Sequence, residues 1–266
     1  MLKSGILSLK KGRPNNETNI GYIMKAMILA AGIGTRLRPL TDTIPKALIK
    51  IGDTSLLEFA IKKLIRYGFQ DIIINIHHFP DMIINFLEKN RNFGANISIS
   101  DERDMLLDTG GALKKAASFF SGNDPFLLYN CDIVTDLNLL TLYNSHLASN
   151  VMCTLAVRNR KTSRYFIFDN ANTLCGWWNK TTGEKKSVRW SDSEFKAMAF
   201  SGIQILSPGV LELFPDKKVF SLVEFYLLLA QNHKIEGYDH TETRWADVGR
   251  SETYKLMKSA CLDDYY

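Results

Sequence analysis

The sequence has 266 residues, of which 45% are hydrophobic and 23% charged; this composition excludes a disordered or fibrous chain and allows one substantial core. Four of the five net positive charges come from residues 1–13, which contain no acid, so the remainder carries +1. A nearly neutral body argues against broad nucleic-acid binding. Because no apolar run approaches the roughly 20 residues that cross a bilayer, we expect a cytoplasmic protein that does not bind membranes.

The first segment, residues 1–23, shows no apolar periodicity and contains the polar run R-P-N-N-E-T-N, so we predict a flexible leader. The organised pattern begins at Met24, which makes this methionine an alternative start of the protein. An extra strand, or a contact between copies in a homo-oligomer, is also compatible with the leader.

From Lys25 onwards, short apolar runs alternate with amphipathic stretches, which is typical of βαβ units around a mainly parallel sheet. Strands are predicted at 26–30, 71–76, 96–99 and 125–129, and helices at 54–67, 81–89 and 110–119. Ser55 and Glu58 have the spacing of a capping box at the first helix. Residues 24–150 are therefore predicted to form a Rossmann-like nucleotide-binding part, with its ligand at the carboxyl ends of the strands.

After Val151 the pattern changes to strand-like segments, which predict a smaller and partly antiparallel lobe over residues 151–266. Strands are predicted at 152–157, 165–168 and 197–206, a polar loop at 179–186, and closing helices at 221–231 and 251–262. Since no repeat or low-complexity linker separates the halves, residues 24–266 are predicted to be a single α/β domain.

The most informative segment is L-A-A-G-I-G-T-R-L-R-P-L at 29–40, followed by I-P-K-A-L at 44–48. Small residues after a buried strand let backbone amides approach an anion, while Arg36 and Lys46 supply charge. This pattern predicts a triphosphate site. A P-loop would require G-x-x-x-x-G-K-[ST], which is absent, and a dinucleotide fingerprint would require a small residue where Leu37 stands.

The combined string G-x-G-T-R-L-R-P-L and the later P-K resemble the signature of the nucleoside-diphosphate-sugar pyrophosphorylases, which are sugar-1-phosphate nucleotidyltransferases. The resemblance runs from Lys25 to Gly249. It implies a glycosyltransferase-A-like fold and an enzyme that uses Mg²⁺ to join a nucleoside monophosphate from an NTP to a sugar 1-phosphate, releasing pyrophosphate. It also implies that the loop holds the triphosphate, with Arg36 and Lys46 as catalytic cations. The implied nucleotide-binding residues of this loop are Ala30, Ala31, Gly32, Gly34, Thr35, Arg36 and Lys46.

A second segment, L-D-T-G-G-A-L at 107–113, resembles the part of the family motif where a glycine pair lets the base lie against the backbone. The resemblance implies that Asp108, Gly110 and Gly111 bind the nucleotide. From the residues alone, a helix start capped by Thr109 is equally compatible with the segment.

Two aspartates complete the resemblance, because N-C-D at 130–132 matches the family's N-x-D and W-A-D-V-G at 245–249 matches its D-V-G. The resemblance implies that Asp132 and Asp247 bind Mg²⁺, a cation that prefers carboxylate and phosphate oxygens, and that Asp132 is catalytic. For Asp247 the residues alone also allow a loop cap or a surface acid.

For the sugar phosphate, F-S-G-I at 200–203 resembles a family segment whose glycine approaches the sugar, which implies contact with Gly202. Family members commonly carry E-K-P in this lobe, whereas this sequence has G-W-W-N-K at 176–180. Asn179 and Lys180 are the candidates for hydroxyl and phosphate contacts, and a solvated loop is the alternative.

Within the family, the L-D-T-G-G segment most resembles N-acetylmuramate-1-phosphate uridylyltransferases and mannose- or heptose-1-phosphate guanylyltransferases. We therefore expect UTP and N-acetylmuramate 1-phosphate as substrates, with GTP and a mannose or heptose 1-phosphate as the alternative. A cytidylyltransferase for a phosphorylated alcohol and a non-catalytic nucleotide-sugar sensor are also compatible with the sequence.

Overall fold

A computed structural model describes residues 24–189 and 195–266, so the predicted leader lies outside the described residues. The strands are β1 (Lys25–Leu29), β2 (Lys50–Ile51), β3 (Thr54–Ser55), β4 (Asp71–Ile76), β5 (Asn96–Asp101), β6 (Phe126–Asn130), β7 (Ile133–Thr135), β8 (Cys153–Arg158), β9 (Arg164–Phe168), β10 (Leu174–Asn179), β11 (Lys185–Ser187), β12 (Lys196–Leu206), β13 (Ile235–Asp239) and β14 (Trp245–Asp247). The α-helices are α1 (Leu56–Arg66), α2 (Pro80–Lys89), α3 (Asp108–Lys115), α4 (Leu139–Ala148), α5 (Leu222–Leu229) and α6 (Ser251–Met257).

The first half is built on four parallel strands in the order β6-β1-β4-β5. β1 and β6 are short apolar runs with buried centres, as expected for strands covered by helices on both faces. Leu29 pairs with both Asn75 and Asn130, so three strands end at the same level. The predicted mainly parallel, Rossmann-like sheet is therefore confirmed, and its strand ends form one edge that is open to a ligand.

Helix α1 shows how local sequence sets the elements that cover this sheet. The Ser55 hydroxyl accepts the Glu58 N–H at 3.2 Å, which confirms the predicted cap. Leu57, Ile61 and Leu64 lie on one face and are fully buried; burial of each contributes about 1.5–3 kcal/mol. The backbone leaves the helical conformation after Tyr67.

The second half is largely antiparallel, and its strands β11-β10-β9 continue the main sheet through β12. β12 pairs with β9 through residues 196–198 and with β6 through residues 203–206, so this one strand belongs to both halves. Its pairing with β8 shifts register between Phe200 and Gln204. Gly202 lies at this irregularity with a φ of +78°, a conformation that side chains disfavour.

A separate antiparallel pair, β7 and β14, brings distant parts of the chain together, with Asp247 opposite Ile133. The sequence patterns predicted neither this pair nor α4. In the described residues, no helix combines the length and apolarity that crossing a membrane requires.

Candidate active site

The loop after β1 is shaped by Gly34. This residue has a φ of +73°, and its carbonyl accepts the Leu37 N–H at 2.8 Å and the Thr41 hydroxyl at 2.9 Å. A Cβ at position 34 would lie 2.8 Å from Thr41 Cγ2 and 3.0 Å from Lys46 Cβ. Both the backbone conformation and the space therefore require glycine. Gly32 lies beside the same lysine, since a Cβ there would be 3.3 Å from Lys46 Nζ.

Lys46 forms an ion pair with Asp132, whose Oδ2 lies 2.9 Å from the ammonium nitrogen. The two side chains are 15% and 11% exposed. Burial lowers the pKa of Lys46, but the charge and hydrogen bond of Asp132, assisted by Asp247, outweigh burial and raise this pKa. Lys46 is thus a charged group near neutral pH, held at the end of β6.

The two predicted metal ligands come together around Gly249. The Val248 N–H donates to the Asp132 carbonyl at 2.9 Å, and this contact extends the pairing of β7 with β14. A Cβ on Gly249 would lie 2.4 Å from Asp132 Oδ2 and 3.0 Å from Asp247 Oδ1. Both carboxylates therefore face the same small space, which a side chain at position 249 would fill.

A cavity of about 470 Å³, here called the strand-end cavity, opens where β1, β4 and β6 end. Several residues that the sequence analysis named line this cavity, namely Ala31, Gly32, Arg36, Lys46, Asp108 and Asp132. Arg36 is exposed there, as is its neighbour Thr35, whereas Ala30 is buried. The cavity therefore presents cations, carboxylates and small residues to one ligand.

A buried hydrogen-bond chain, which the sequence analysis missed, supports this cavity. The Ala30 N–H donates to Asn75 Oδ1 at 2.8 Å, and Asn75 Nδ2 donates to Glu102 Oε1 at 2.8 Å. The other Glu102 oxygen accepts the Leu107 N–H at 3.3 Å. Glu102 is 2% exposed, and burial raises the pKa of its carboxyl group. An acid directly after β5 was the available sequence signal.

The glycine pair at 110 and 111 packs against a distant segment of the chain. The N–H groups of Gly110 and Gly111 both donate to the Phe220 carbonyl, at 2.9 and 3.3 Å. A Cβ on Gly110 would lie 2.3 Å from the Phe220 ring, and one on Gly111 would lie 2.1 Å from the Lys218 carbonyl oxygen. The pair is small because α3 packs against this segment, while Asp108 and Thr109 line the strand-end cavity. Thr109 accepts the Leu222 N–H at 3.0 Å, so the helix-cap interpretation does not describe it.

A second cavity, of about 450 Å³, lies among β9, β10, β12 and α5 and is here called the second-lobe cavity. Asn179 lines it together with aromatic and charged side chains, among them Arg160, Tyr165, Trp177, Phe200 and Glu224. Two other predicted sugar contacts lie elsewhere. Lys180 is exposed, with Nζ 5.9 Å from the Trp178 ring centroid. Gly202 packs beneath Asn130, whose Nδ2 would be 2.9 Å from an added Cβ.

Similar proteins are known by sequence. The family model described as nucleotidyl transferase matches residues 25–263. A mannose-1-phosphate guanyltransferase of Yarrowia lipolytica is 30% identical over 242 residues, which cover 90% of this chain and 64% of the relative. A UTP–glucose-1-phosphate uridylyltransferase of Synechocystis is 29% identical over 247 residues, which cover 87% of this chain and 61% of the relative. The chain thus spans less than two thirds of the length of these relatives.

Solved structures share the fold. HddC from Yersinia pseudotuberculosis, complexed with GMP-PN, matches with a TM-score of 0.71 at 23% identity, covering 88% of this chain and 97% of that one. A UDP-glucose pyrophosphorylase from Acinetobacter matches with a TM-score of 0.71 at 19% identity, covering 89% and 92%. Together with the family match, these likenesses confirm the expected architecture. The chain belongs to the nucleotidyl transferase family, and its predicted resemblance to the sugar-1-phosphate nucleotidyltransferases is confirmed.

Proposed function

We propose that this chain transfers a nucleoside monophosphate from an NTP to a sugar 1-phosphate and releases pyrophosphate. The observation that carries the proposal is the convergence of Lys46, Asp132 and Asp247, which come from three distant segments, at the end of a parallel sheet. A lysine paired with one carboxylate, with a second carboxylate facing the same small space beside an open cavity, suits the transfer of a charged phosphoryl group.

In this proposal the strand-end cavity holds the NTP. Backbone amides of the loop at 31–35 and the exposed Arg36 bind the β- and γ-phosphates, and Lys46 binds the α-phosphate. Ala30 acts indirectly, because its own N–H is engaged by Asn75. Asp108, at the start of α3, lies on the side of the nucleoside.

The donor set fits Mg²⁺. Within residues 24–189 and 195–266, no group of three or more histidine, cysteine or acidic side chains could hold a metal. The protein would therefore supply the Asp132 and Asp247 carboxylates, and phosphates and water would complete the octahedral shell that Mg²⁺ prefers. When bound, Mg²⁺ would offset charge on the transferring and leaving phosphates.

The chain's own residues act by positioning and by charge. The attacking oxygen belongs to a phosphate that is already ionised near neutral pH, so the reaction requires no strong general base. Lys46, which stays protonated because its pKa is raised, holds the α-phosphate in line with the attacking oxygen. Arg36 stabilises the departing pyrophosphate.

For the substrate pair, the relatives named mannose-1-phosphate guanyltransferase favour GTP with mannose 1-phosphate. The relative that uses UTP with glucose 1-phosphate supports UTP as the second candidate. The third candidate is UTP with N-acetylmuramate 1-phosphate, the pair that the sequence pattern favours.

The test is to measure pyrophosphate release with each of the four NTPs against mannose, glucose, heptose and N-acetylmuramate 1-phosphates, with and without Mg²⁺. We expect magnesium-dependent turnover with one preferred pair and formation of the matching NDP-sugar. Absence of turnover with every pair, while NTP binding is retained, would contradict the proposal and favour the non-catalytic sensor.

A further inference from the structure

A sugar phosphate in the second-lobe cavity would need a cation, and three cationic side chains line this cavity, namely Arg160, Arg164 and Lys186. Lys186 is already paired with Glu184 and Glu224, at 3.6 and 3.7 Å, and Arg164 is exposed. The Lys180 ammonium lies over Trp178 and does not line the cavity, whereas Arg160 does. We infer that Arg160 binds the phosphate of the incoming sugar 1-phosphate, an inference that rests on the proposed function.

Arg160 lies between this cavity and the two aspartates. Its guanidinium carbon is 4.4 Å from the Trp245 ring centroid. Trp245 and Asp247 are two residues apart in β14, so their side chains leave the same face of the strand. Asp247 also lies within electrostatic range of Arg160. A phosphate held by Arg160 would therefore have its sugar in the second-lobe cavity and its attacking oxygen near the two carboxylates.

The guanidinium also has unused binding capacity. One of its Nη groups donates to the Phe200 carbonyl at 3.1 Å, but the buried Nε has no partner among the described residues. In that part of the chain, no carboxylate lies within ion-pair distance of Arg160. The nearby Asp247 instead accepts from Arg250 Nε at 3.1 Å and from the Gly249 N–H at 3.0 Å.

The local charge favours an anion at this point. Burial and then the neighbouring Arg250 lower the pKa of Arg160, so an adjacent negative charge would relieve an unfavourable environment. A guanidinium presents Nε–H and Nη–H as a fork that matches two phosphate oxygens, whereas an ammonium is a point charge. Packing on Trp245 fixes the plane of this fork before a ligand arrives.

Arg158 provides a matched control. It lies over the same indole, with its guanidinium carbon 5.6 Å from the ring centroid, and it also has a buried nitrogen without a partner in the described residues. However, its Nη2 donates to the Thr241 carbonyl at 3.0 Å, and it does not line the second-lobe cavity. Loss of Arg158 therefore removes a similar buried charge without removing the inferred phosphate contact.

The experiment measures equilibrium binding of inorganic phosphate, mannose 1-phosphate and glucose 1-phosphate by calorimetry. Non-hydrolysable α,β-methylene GTP or UTP, present with Mg²⁺, blocks the triphosphate loop. We expect R160Q to weaken binding of all three ligands about 10- to 100-fold, the loss typical of a charge-assisted hydrogen bond. R160K should recover part of the affinity, and R158Q should bind as the unmodified protein does. The KM for the sugar 1-phosphate should rise in R160Q while the KM for the NTP stays unchanged.

Unchanged phosphate binding in R160Q, or equal losses in R160Q and R158Q, would overturn the inference, as would a lack of phosphate binding by the unmodified protein. Thermal unfolding of each variant shows whether it is folded, and R160K carries the test if R160Q is not. If no substrate pair turns over but R160Q alone loses phosphate binding, the anion site stands and the proposed function fails. If a substrate pair turns over but the KM for the sugar 1-phosphate is unchanged in R160Q, the proposed function stands and the inference about Arg160 fails.

Discussion

The strand-end cavity and the second-lobe cavity have similar volumes, about 470 and 450 Å³, but they are built in different ways. The first is lined by the loop after β1, by the ends of parallel strands that the sheet aligns, and by Val219 and residues from the segment 102–109. The second is lined by side chains from four antiparallel strands, a helix and nearby loops. In the proposed function, the residues that bind the triphosphate are therefore concentrated in short motifs, whereas the residues that bind the sugar come from scattered positions.

The largest expected effect is a loss of kcat in Lys46→Ala without a loss of sugar binding. Replacing Lys46 with alanine removes the cation paired with Asp132, and we expect kcat to fall about 10²- to 10³-fold, as for loss of one transition-state donor. The KM for the sugar 1-phosphate should change little. Steady-state kinetics check this, with Lys62→Ala, an exposed lysine of α1, as the control. A near-normal rate of Lys46→Ala at saturating substrate would refute the assignment.

The second prediction concerns the shape of the phosphate loop. In Gly34→Ala the new Cβ would collide with Thr41 and Lys46 at a left-handed position, so we expect kcat/KM for the NTP to fall about 10- to 100-fold through misplacement of Lys46. Gly94 has a φ of +80° and nothing within 4 Å of an added Cβ. Gly94→Ala thus imposes similar backbone strain and should leave kcat/KM unchanged. Equal losses of activity in both variants would show that strain alone is responsible.

The third prediction concerns the Mg²⁺ ion that Asp132 and Asp247 would bind in the proposed function. Asp247→Asn should raise the Mg²⁺ concentration for half-maximal rate about tenfold, because an amide oxygen is a weaker ligand than a carboxylate. A magnesium titration of the rate measures this shift. Asp81→Asn, in an acid whose side chain is 76% exposed, is the control. An unchanged magnesium requirement in Asp247→Asn would remove Asp247 from the metal site.

The smallest effect is a pH dependence of stability that arises from the buried His240. His240 contacts Ser201 at 2.6 Å, and burial, then Arg158, lowers the His240 pKa to about 4. The unfolded chain therefore binds this proton first, and the free energy of unfolding should decrease as the pH falls from about 6.5 to 4, by at most about 1.4 kcal/mol per pH unit. His240→Gln should reduce this slope in urea unfolding, while His146, with a pKa also near 4, retains its share. If the free energy of unfolding changed with pH at the same slope in His240→Gln and in the unmodified protein, this assignment would be contradicted.

The sequence predicted the first half well because its determinants are local. Apolar runs located β1 and β4, and Ser55 marked the start of α1. Parallel pairing then dictated that Asn75 and Asn130 meet at one edge. The proximity of Asp132 and Asp247 could be predicted only from the order of the motifs in the family. The β7–β14 pair that produces this proximity has three residues in each strand, which is too short to give a sequence pattern.

The parts that the sequence did not predict depend on contacts between distant segments. The lack of space for a side chain at Gly110 is due to Phe220, and at Gly111 it is due to Lys218. Nothing near these glycines in the chain indicates either contact. Arg160 is oriented by its packing on Trp245, which lies on a strand far along the chain. Lys180 directly follows β10 and is exposed, so its predicted phosphate contact stays a prediction.

The register of β12 carries a consequence for engineering. This strand pairs with β9 at one end and with β6 at the other, with one irregularity at Gly202 between them. Deleting or adding one residue on either side of that point would exchange inward and outward side chains along the affected stretch. A chimera that grafts a relative's second lobe onto the first half of this chain should therefore keep β12 intact and place its junctions in the flanking loops.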